Sequence, residues 1–522
     1  MRILLVRAAN DPENFGWTYD DLPPLLRKSA FVPPLALATL AALTPDDIEV
    51  RIWDEHARGP VTDFAGFDLV GITAYSSQLP RARALAATVR AAGIMTVIGG
   101  PGPTSDPEGC RDDFDIVFVG EAETTWPEFL ADLREGRRPH REYRPLALPD
   151  MAQSPPPRWD ALVADMPAYV AGPVQVSRGC PFDCEFCGVW QTFGRKMRTK
   201  PIDQVIDEIQ ALQQLGARSI LFCSDNFYGA PKYAKALLHR LLDYNRTLTS
   251  PLIYSAELDI NISRDDEILA LLADTGFASL LIGIESPNKE SLVEMRKRQN
   301  LRGDLITNIH RVQSFGVPID GSIVVGFDHD TTAIFDEMFE FLQESNMPLP
   351  RPHMLKAIPG TELHKRLVGQ NRVIDSRAIT GAVASEYLDA VVYSNVVPAG
   401  MSRAELVAGY GELVRKIFDW DNFSARLLGF VEGVTREPAG WDEAVCRGYA
   451  AMMRGQRAHL PVDLADKYDG LVAKVEQSRP YMLPSVARSL LRYTFELRRV
   501  AQTAANTRRQ LAAMGASDLV TA

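Results

Sequence analysis

The feature that most constrains this chain is a group of cysteines near position 180. Three of its six cysteines, Cys180, Cys184 and Cys187, follow the spacing C-x3-C-x2-C. They come directly after a predicted strand, so the three thiols lie on one loop above the end of that strand. In a large chain without the pattern of a secreted protein, such clustering indicates metal binding rather than disulfide bonding.

Three thiolates on one loop can hold three irons of a [4Fe–4S] cluster and leave the fourth iron open for a small molecule. The alternative is a zinc site, which usually has four ligands in paired cysteine or histidine sets. None of the eight histidines falls between Ala171 and Pro231, so no local fourth ligand is available. Gly179 and Pro181 suit a tight loop on which thiolates converge. These observations favour the cluster.

The composition excludes several other classes of protein. The chain has 522 residues, 46% of them apolar and 24% charged, and this length predicts about three domains. The net charge is −11 and no basic patch lies near the cysteines, so nucleic acid is not an expected partner. No apolar stretch is long enough to span a membrane and no signal peptide is evident, so we expect a cytoplasmic protein.

Strand and helix patterns alternate over residues 1–145, which predicts an α/β domain with a parallel, doubly wound sheet. Ligands of such sheets bind outside the carboxyl ends of the strands. The predicted strands are Ile3–Val6, Ile48–Trp53, Leu69–Thr73, Thr96–Ile98 and Ile116–Val119.

Three further segments follow this domain. Residues 146–170 contain Ser154-Pro155-Pro156-Pro157 and form a predicted linker, because prolines continue neither a helix nor a central strand. Residues 171–375 repeat the alternation and predict a partial or full β/α barrel, and residues 376–522 read as mainly helical. The predicted barrel strands are Val174–Ser177, Ser219–Cys223, Leu252–Glu257, Ser279–Glu285 and Gly321–Phe327.

C-x3-C-x-aromatic-C on the first strand of a β/α barrel resembles the radical S-adenosylmethionine (SAM) superfamily, with Phe186 as the aromatic residue. The resemblance implies that the open iron binds SAM, whose cleavage yields a 5′-deoxyadenosyl radical. Further positions match the family in order, although its usual Gly-Gly-Glu is absent. The implied SAM contacts are Phe186, Asp225, Asn226, Glu257, Gly283 and Glu285.

The domain at residues 1–145 resembles a cobalamin-binding domain, which implies a Rossmann-like fold there. Small residues after the third strand and Gly-Gly after the fourth would leave room for the cofactor's tail. The resemblance implies cobalamin contacts at Thr73, Ser77, Gly99, Gly100, Gly120 and Glu121.

One string in this domain matches a cobalt-binding motif at the wrong place. Asp54 to Gly59 spell D-x-H-x-x-G, but they follow the second predicted strand, whereas the family motif follows the first. We therefore expect His56 not to bind cobalt. The segment from Ala8 to Ser29, with Trp17 and Tyr19, would face the lower side of the cobalt instead.

Taken together, residues 1–375 resemble cobalamin-dependent radical SAM methyltransferases, in the branch that includes bacterial hopanoid C-2 methylases. The resemblance implies methylation of an unactivated carbon with two SAM molecules, one to methylate cobalamin and one to form the radical. The alternative is an oxidative cyclisation or rearrangement without methyl transfer. A small-molecule or lipid substrate and an electron donor such as a flavodoxin or ferredoxin would be the partners.

The last part of the chain is rich in arginine. Residues from Pro484 to Gly515 carry six arginines against one acid, Glu496, and also contain an apolar set. This pattern favours a helix that packs on its own domain or on a partner chain. Contact with an anionic membrane surface is the alternative. The three remaining cysteines are expected to be ordinary buried thiols, namely Cys110, Cys223 and Cys446.

Overall fold

The structure, a computed structural model, describes residues 1–10, 28–374, 394–437, 442–457, 460 and 462–515. Its backbone contacts define a first unit, Met1–Asn226 with Ile358–Arg366, and a second unit, Phe227–Ala357 with Leu367–Ala522. The predicted segment boundaries at residues 145, 170 and 375 do not coincide with this division and stay predictions. The expectation for Trp17 and Tyr19 lies outside the described residues.

The first unit contains a parallel six-stranded sheet in the order β2-β1-β3-β4-β5-β6. The five predicted strands are confirmed to within one or two residues at their ends, and β6 is an additional short edge strand. The strands are β1 (Arg2–Arg7), β2 (Glu49–Asp54), β3 (Leu69–Thr73), β4 (Met95–Gly99), β5 (Ile116–Phe118) and β6 (Glu142–Tyr143).

Helices on this sheet follow the amphipathic pattern of the sequence. Leu85 and Val89 of the third helix are buried, and its apolar residues recur every three or four positions. The strand order reverses between β1 and β3, which is where doubly wound sheets bind their ligands. The helices are α1 (Leu35–Leu43), α2 (Glu55–Arg58), α3 (Leu79–Ala91), α4 (Pro101–Ser105) and α5 (Thr125–Arg134).

The first unit also contains the segment with the clustered cysteines. The strand predicted over Val174–Ser177 is in fact two short strands. The first pairs in parallel with the strand that ends at Phe222, and the second turns away to form an antiparallel hairpin. The elements are β7 (Gly172–Val174), β8 (Ser177–Arg178), α6 (Val189–Phe193), β9 (Arg198–Thr199), α7 (Ile202–Gln214) and β10 (Ser219–Phe222).

The predicted linker is ordered and partly buried. It contains two 3₁₀ helices, Met151–Gln153 and Trp159–Ala168, and both Trp159 and Leu162 are buried. The prolines stop regular α-helix and strand there without leaving the chain extended.

The second unit contains four parallel strands with helices between them. Side chains along the first of these strands alternate, so that Ser255 and Glu257 keep exposed area while Tyr254 and Ala256 are buried. The elements are α8 (Pro231–Thr247), β11 (Ile253–Leu258), α9 (Asp266–Thr275), β12 (Phe277–Glu285), α10 (Lys289–Glu294), α11 (Leu305–Gln313), β13 (Ile319–Val325), α12 (Ile334–Ser345) and β14 (Arg351–Met354). The next helix, α13 (Glu362–Gly369), begins in the segment assigned to the first unit and ends in the segment assigned to the second.

The helical C-terminal part is confirmed. Tyr410 in its first helix donates a hydrogen bond from its hydroxyl to the Pro352 carbonyl at 3.1 Å, which ties this region to β14. The helices are α14 (Arg403–Ile417), α15 (Trp420–Gly433), α16 (Glu443–Gln456), α17 (Val462–Ser478) and α18 (Leu483–Ala513).

The basic helix α18 packs on its own domain, as the favoured interpretation of the sequence required. Arg499 is buried, and Arg492 forms ion pairs with Asp320 of β13 and with Glu496 one turn along. Its central charged face is therefore used inside the protein, and the structure gives no support to membrane contact. Within the described residues, no helix is long and apolar enough to cross a bilayer.

Candidate functional site

The three clustered cysteines lie on one loop, residues 179–188, which we call the cysteine loop. Cys180 and Cys187 are partly exposed and Cys184 is buried. The Cys187 amide donates to the Cys184 carbonyl at 3.2 Å, and the Cys180 amide donates to the Gly194 carbonyl at 3.2 Å. All six cysteines of the chain are described and none forms a disulfide.

Gly179 makes the tight entry to this loop possible. Its φ is +94°, and a Cβ at this position would lie 2.7 Å from the carbonyl oxygen of Lys196. Both facts exclude any residue with a side chain unless the neighbouring backbone moves. The expectation that Gly179 shapes the loop is thus confirmed.

Residues directly after β10 form hydrogen bonds with the cysteine loop and with the strand segment before it. The Asp225 carboxylate accepts a hydrogen bond from the Gly179 amide at 2.7 Å, and the Asn226 amide group approaches the Cys180 sulfur at 3.9 Å. The Ser224 hydroxyl accepts from the amides of Val176 and Ser177, both at 3.2 Å. Asp225 and Asn226 therefore contact the loop itself, and their predicted role toward SAM stays a prediction.

A second set of contacts that holds the loop in place was not predicted from the sequence. Glu185, between Cys184 and Cys187, is buried and accepts two hydrogen bonds from the Arg366 guanidinium at 2.7 and 3.1 Å. Its carbonyl accepts from the Leu363 amide at 3.0 Å. Phe186, the aromatic residue of the motif, is partly exposed beside them.

The predicted positions of the second unit lie on β11 and β12. Glu257 keeps exposed area, yet desolvation raises the pKa of its carboxyl, and the opposing effect of Arg351 is smaller. Within the described residues, Glu257 has no ion-pair partner, which suits a carboxylate that would meet a ligand.

Glu285 and Gly283 behave differently from Glu257. Glu285 is buried, has a φ of +65°, and accepts a hydrogen bond from Lys297 at 2.6 Å. A Cβ on Gly283 would lie 2.3 Å from the Glu285 carboxylate and 2.6 Å from the Lys297 ammonium. The small residue at 283 therefore makes room for this ion pair, and the predicted SAM contacts at Gly283 and Glu285 stay predictions.

The predicted cobalamin positions all lie at the carboxyl edge of the first sheet. Thr73 and Gly99 end β3 and β4, and Gly120 follows β5 with a φ of +81°. Gly100 has a φ of +104°, and a Cβ there would lie 2.7 Å from the Thr73 hydroxyl. These four residues and Ser77 are each partly exposed, as positions that bind a ligand should be.

Glu121 is the exception among these positions. It is buried and forms ion pairs with Arg178 and Arg198, while Arg178 also pairs with Glu123 at 2.6 Å. Burial would raise the pKa of Glu123, but the charge and hydrogen bond of Arg178 lower it below its usual range. The Glu121 carboxylate thus holds two arginines, and its predicted contact with cobalamin stays a prediction.

His56 lies on the short helix α2 at the same edge. The Asp54 carboxylate caps this helix by accepting from the His56 amide at 3.0 Å, and a ring nitrogen of His56 lies 3.3 Å from the Gln78 amide nitrogen. The D-x-H string thus has a local structural role as a helix start.

Comparison with known proteins places this geometry in a family. Residues 174–342 match the radical SAM superfamily model and residues 29–130 match the B12-binding domain model. An uncharacterized methyltransferase of Synechocystis sp. is 31% identical over 72% of this chain and 70% of its own length. The hopanoid C-2 methylase of Rhodopseudomonas palustris is 30% identical over 69% of each chain.

The chain belongs to the cobalamin-dependent radical SAM methyltransferases. Two solved structures share its fold, one of a radical SAM methyltransferase and one of a cobalamin-dependent SAM radical enzyme. TsrM from Kitasatospora setae, with cobalamin and a [4Fe–4S] cluster bound, has a TM-score of 0.61 at 15% identity and covers 91% of this chain and 99% of its own. OxsB with aqua-cobalamin and SAM has a TM-score of 0.56 at 12% identity, over 92% of this chain and 71% of its own.

The cofactors of this methyltransferase family are a [4Fe–4S] cluster, SAM and cobalamin, and the residues present fit the cluster. Across the described ranges, no three His, Cys, Asp or Glu side chains converge as ligands of a single metal ion. Cluster thiolates each bind a different iron and need not converge on one point, unlike the ligands of zinc. Cys180, Cys184 and Cys187 would hold three irons.

The three remaining cysteines are in accord with a structural role, with one qualification from the structure. Cys110 and Cys446 are buried, and burial raises the pKa of the Cys110 thiol to about 11. Cys223 is only partly buried, and it lies between β10 and the residues that hold the cysteine loop.

Proposed function

We propose that this protein methylates an unactivated carbon of a small-molecule substrate, using two SAM molecules per turnover. The observation that carries the proposal is that the cysteine loop and the cobalamin-type strand edge are parts of one compact unit, joined by buried ion pairs. Relatives named as methylases and methyltransferases support methyl transfer.

The cofactors supply the chemistry when bound: one SAM is the source of the radical, and cobalamin carries the methyl group from the other. The chain supplies position and shelter. Cys180, Cys184 and Cys187 fix the cluster while leaving one iron for SAM, and Asp225 holds the loop at its entry. Glu257, desolvated and without an ion pair among the described residues, is suited to accept hydrogen bonds from bound SAM.

The substrate class is drawn from the relatives and remains part of the proposal. One relative is named for hopanoids and another for bacteriochlorophyllide d, so a lipid or another largely apolar small molecule is our preferred substrate. We also propose a flavodoxin or ferredoxin as the electron donor and a cytoplasmic location. We do not propose membrane contact, because the central arginines of α18 are buried.

The alternative chemistry, oxidative cyclisation or rearrangement without methyl transfer, is not favoured by the comparisons, whose named relatives are methyltransferases. The two differ in the mass of the product. Methylation adds one methyl group, whereas cyclisation removes hydrogen and leaves the carbon count unchanged.

The test is anaerobic reconstitution with iron, sulfide and cobalamin, followed by SAM labelled in its methyl group and a metabolite extract. We expect a labelled metabolite together with 5′-deoxyadenosine and S-adenosylhomocysteine. Release of 5′-deoxyadenosine with a metabolite altered in mass but carrying no label would overturn methyl transfer and favour the alternative.

A further inference from the structure

The cysteine loop begins on a hairpin whose two arms carry arginines side by side. Arg178 of β8 is the register partner of Arg198 of β9. Their side chains are only 11% and 12% exposed. Two like charges directly opposite each other on an antiparallel pair destabilise it unless an anion lies between them. The hairpin therefore needs an acidic partner to close.

That partner comes from the B12-binding domain. The Glu121 carboxylate forms ion pairs with both Arg178 and Arg198, and it accepts hydrogen bonds of 2.5 and 2.9 Å from Arg198. The Glu121 side chain is 1% exposed. Glu123 takes the second nitrogen of Arg178 at 2.6 Å. The four side chains together carry no net charge.

The two acids connect the loop after β5 to the hairpin that begins the cysteine loop. Glu121 directly follows Gly120, whose amide donates to the Thr104 hydroxyl at 3.0 Å at the carboxyl edge of the sheet. Arg178 is separated from Cys180 by one residue, Gly179. A shift of the loop after β5 would break buried ion pairs, and the hairpin would have to follow, because an unpaired buried charge is costly.

We propose that Glu121 and Glu123 lock the cysteine-loop hairpin to the loop after β5, so that binding of cobalamin and binding of the cluster reinforce each other. This inference rests on the proposed function, because coupling between the two sites would coordinate radical formation with methyl transfer. Glu121, Glu123, Arg178 and Arg198 are positioning residues in it and touch neither cofactor with their charged groups.

The test measures coupling without any substrate. Hydroxocobalamin is titrated calorimetrically into protein with and without a reconstituted cluster, and amide hydrogen exchange of residues 179–188 is followed in both. We expect the cluster to raise cobalamin affinity by about fivefold or more, the lower end of usual coupling between sites. In Glu121→Gln this ratio should fall to near one, and cobalamin should no longer slow exchange of the cysteine loop.

Asp113→Asn is the matched control. It breaks the Arg83–Asp113 pair of the first unit, whose 2.8 Å contact lies before β5 at the opposite edge of the sheet, and should keep the wild-type ratio. If Glu121→Gln fails to fold, Glu123→Gln replaces it. There Arg178 keeps its Glu121 partner, and an intermediate ratio is expected.

A wild-type ratio of one, or an unchanged ratio in the folded glutamine variant, would overturn the inference. These outcomes are separate from the proposed function. An enzyme with intact coupling that yields no methylated product contradicts methyl transfer alone, and a methylating enzyme without coupling contradicts the lock alone.

Discussion

The carboxylates around the cysteine loop in the first unit and the carboxylate at the end of β11 in the second unit differ in their ion pairing. Glu121 and Glu185 are buried and neutralised by arginines that hold the loop in place. Glu257 has no ion-pair partner among the described residues, and desolvation raises the pKa of its carboxyl. The acids around the cysteine loop thus hold its structure through ion pairs, whereas desolvation of Glu257 favours the neutral form of its carboxyl and no arginine or lysine of the described residues pairs with it.

The largest effect is expected from removing one thiol of the loop. Cys184→Ala should abolish the cluster, because each thiolate binds its own iron, and 5′-deoxyadenosine formation should fall to background. Iron content and the visible absorbance of the reconstituted protein measure the loss. Cys446→Ala, at a buried thiol of α16, is the control and should retain both. A Cys184→Ala protein with full iron content would contradict the assignment of the ligands.

A large loss of folding stability is expected from breaking the buried Lys200–Glu208 ion pair of the first unit. Lys200 donates to Glu208 at 2.7 and 2.9 Å, and their side chains are 4% and 1% exposed. Lys200→Met should cost about 3–5 kcal/mol of unfolding free energy, because Glu208 would be left as an uncompensated buried charge. Chemical denaturation of the apoprotein measures it.

The exposed Lys365–Glu362 pair offers the control for this loss. Its contact length is similar at 2.8 Å, and Lys365→Met should cost less than about 1 kcal/mol. Replacing both Lys200 and Glu208 with apolar residues should recover most of the stability. Equal losses from Lys200→Met and Lys365→Met would show that burial does not set the difference.

The smallest effect is a pH-dependent gain of stability at Glu257. A carboxyl whose pKa is raised in the folded state favours folding most below its ordinary pKa, and loses that contribution as the pH rises through the raised value. Glu257→Gln should therefore raise the Tm of the apoprotein at pH 8 by a degree or two at most, and leave it unchanged near pH 4.

Glu267 is the control of opposite sign for this change. Lys235 lowers the pKa of its carboxyl through a hydrogen bond and charge, so Glu267→Gln should lower the Tm at pH 8, and this loss should shrink as the pH falls below the ordinary pKa of the carboxyl and vanish below its lowered value. The two variants should also differ in SAM affinity, which falls about tenfold in Glu257→Gln alone if the carboxylate accepts a hydrogen bond from SAM. An unchanged SAM affinity in Glu257→Gln would remove it from the SAM site.

Local patterns in the sequence predicted five of the six strands of the first sheet, the cysteine loop and the helical C-terminal part. They missed β14, whose Arg351-Pro352-His353-Met354 lacks an apolar run and carries a proline tolerated at a sheet edge. They also missed the partners of the loop. Glu121 lies 77 residues from Arg198, and Glu185 lies 181 residues from Arg366. Contacts at such separations leave no mark on local periodicity.

The division of the predicted strand Val174–Ser177 has the same origin. Alternation of side chains cannot show that a strand changes partners, and here the Ser224 hydroxyl takes the amides of Val176 and Ser177 at the point of the change. The Glu285–Lys297 ion pair was not predicted either, because Lys297 lies twelve residues beyond Glu285.

The β8–β9 hairpin holds the two ends of the segment between its strands, residues 179–197, close together. Ser177 pairs with Thr199 and Arg178 with Arg198, so a change of a few residues in the length of this segment changes the entropic cost of closing it only slightly. Descendants of one ancestral scaffold could thus exchange the whole insert, or lengthen it around a different substrate, while the sheets on which it rests stay as they are.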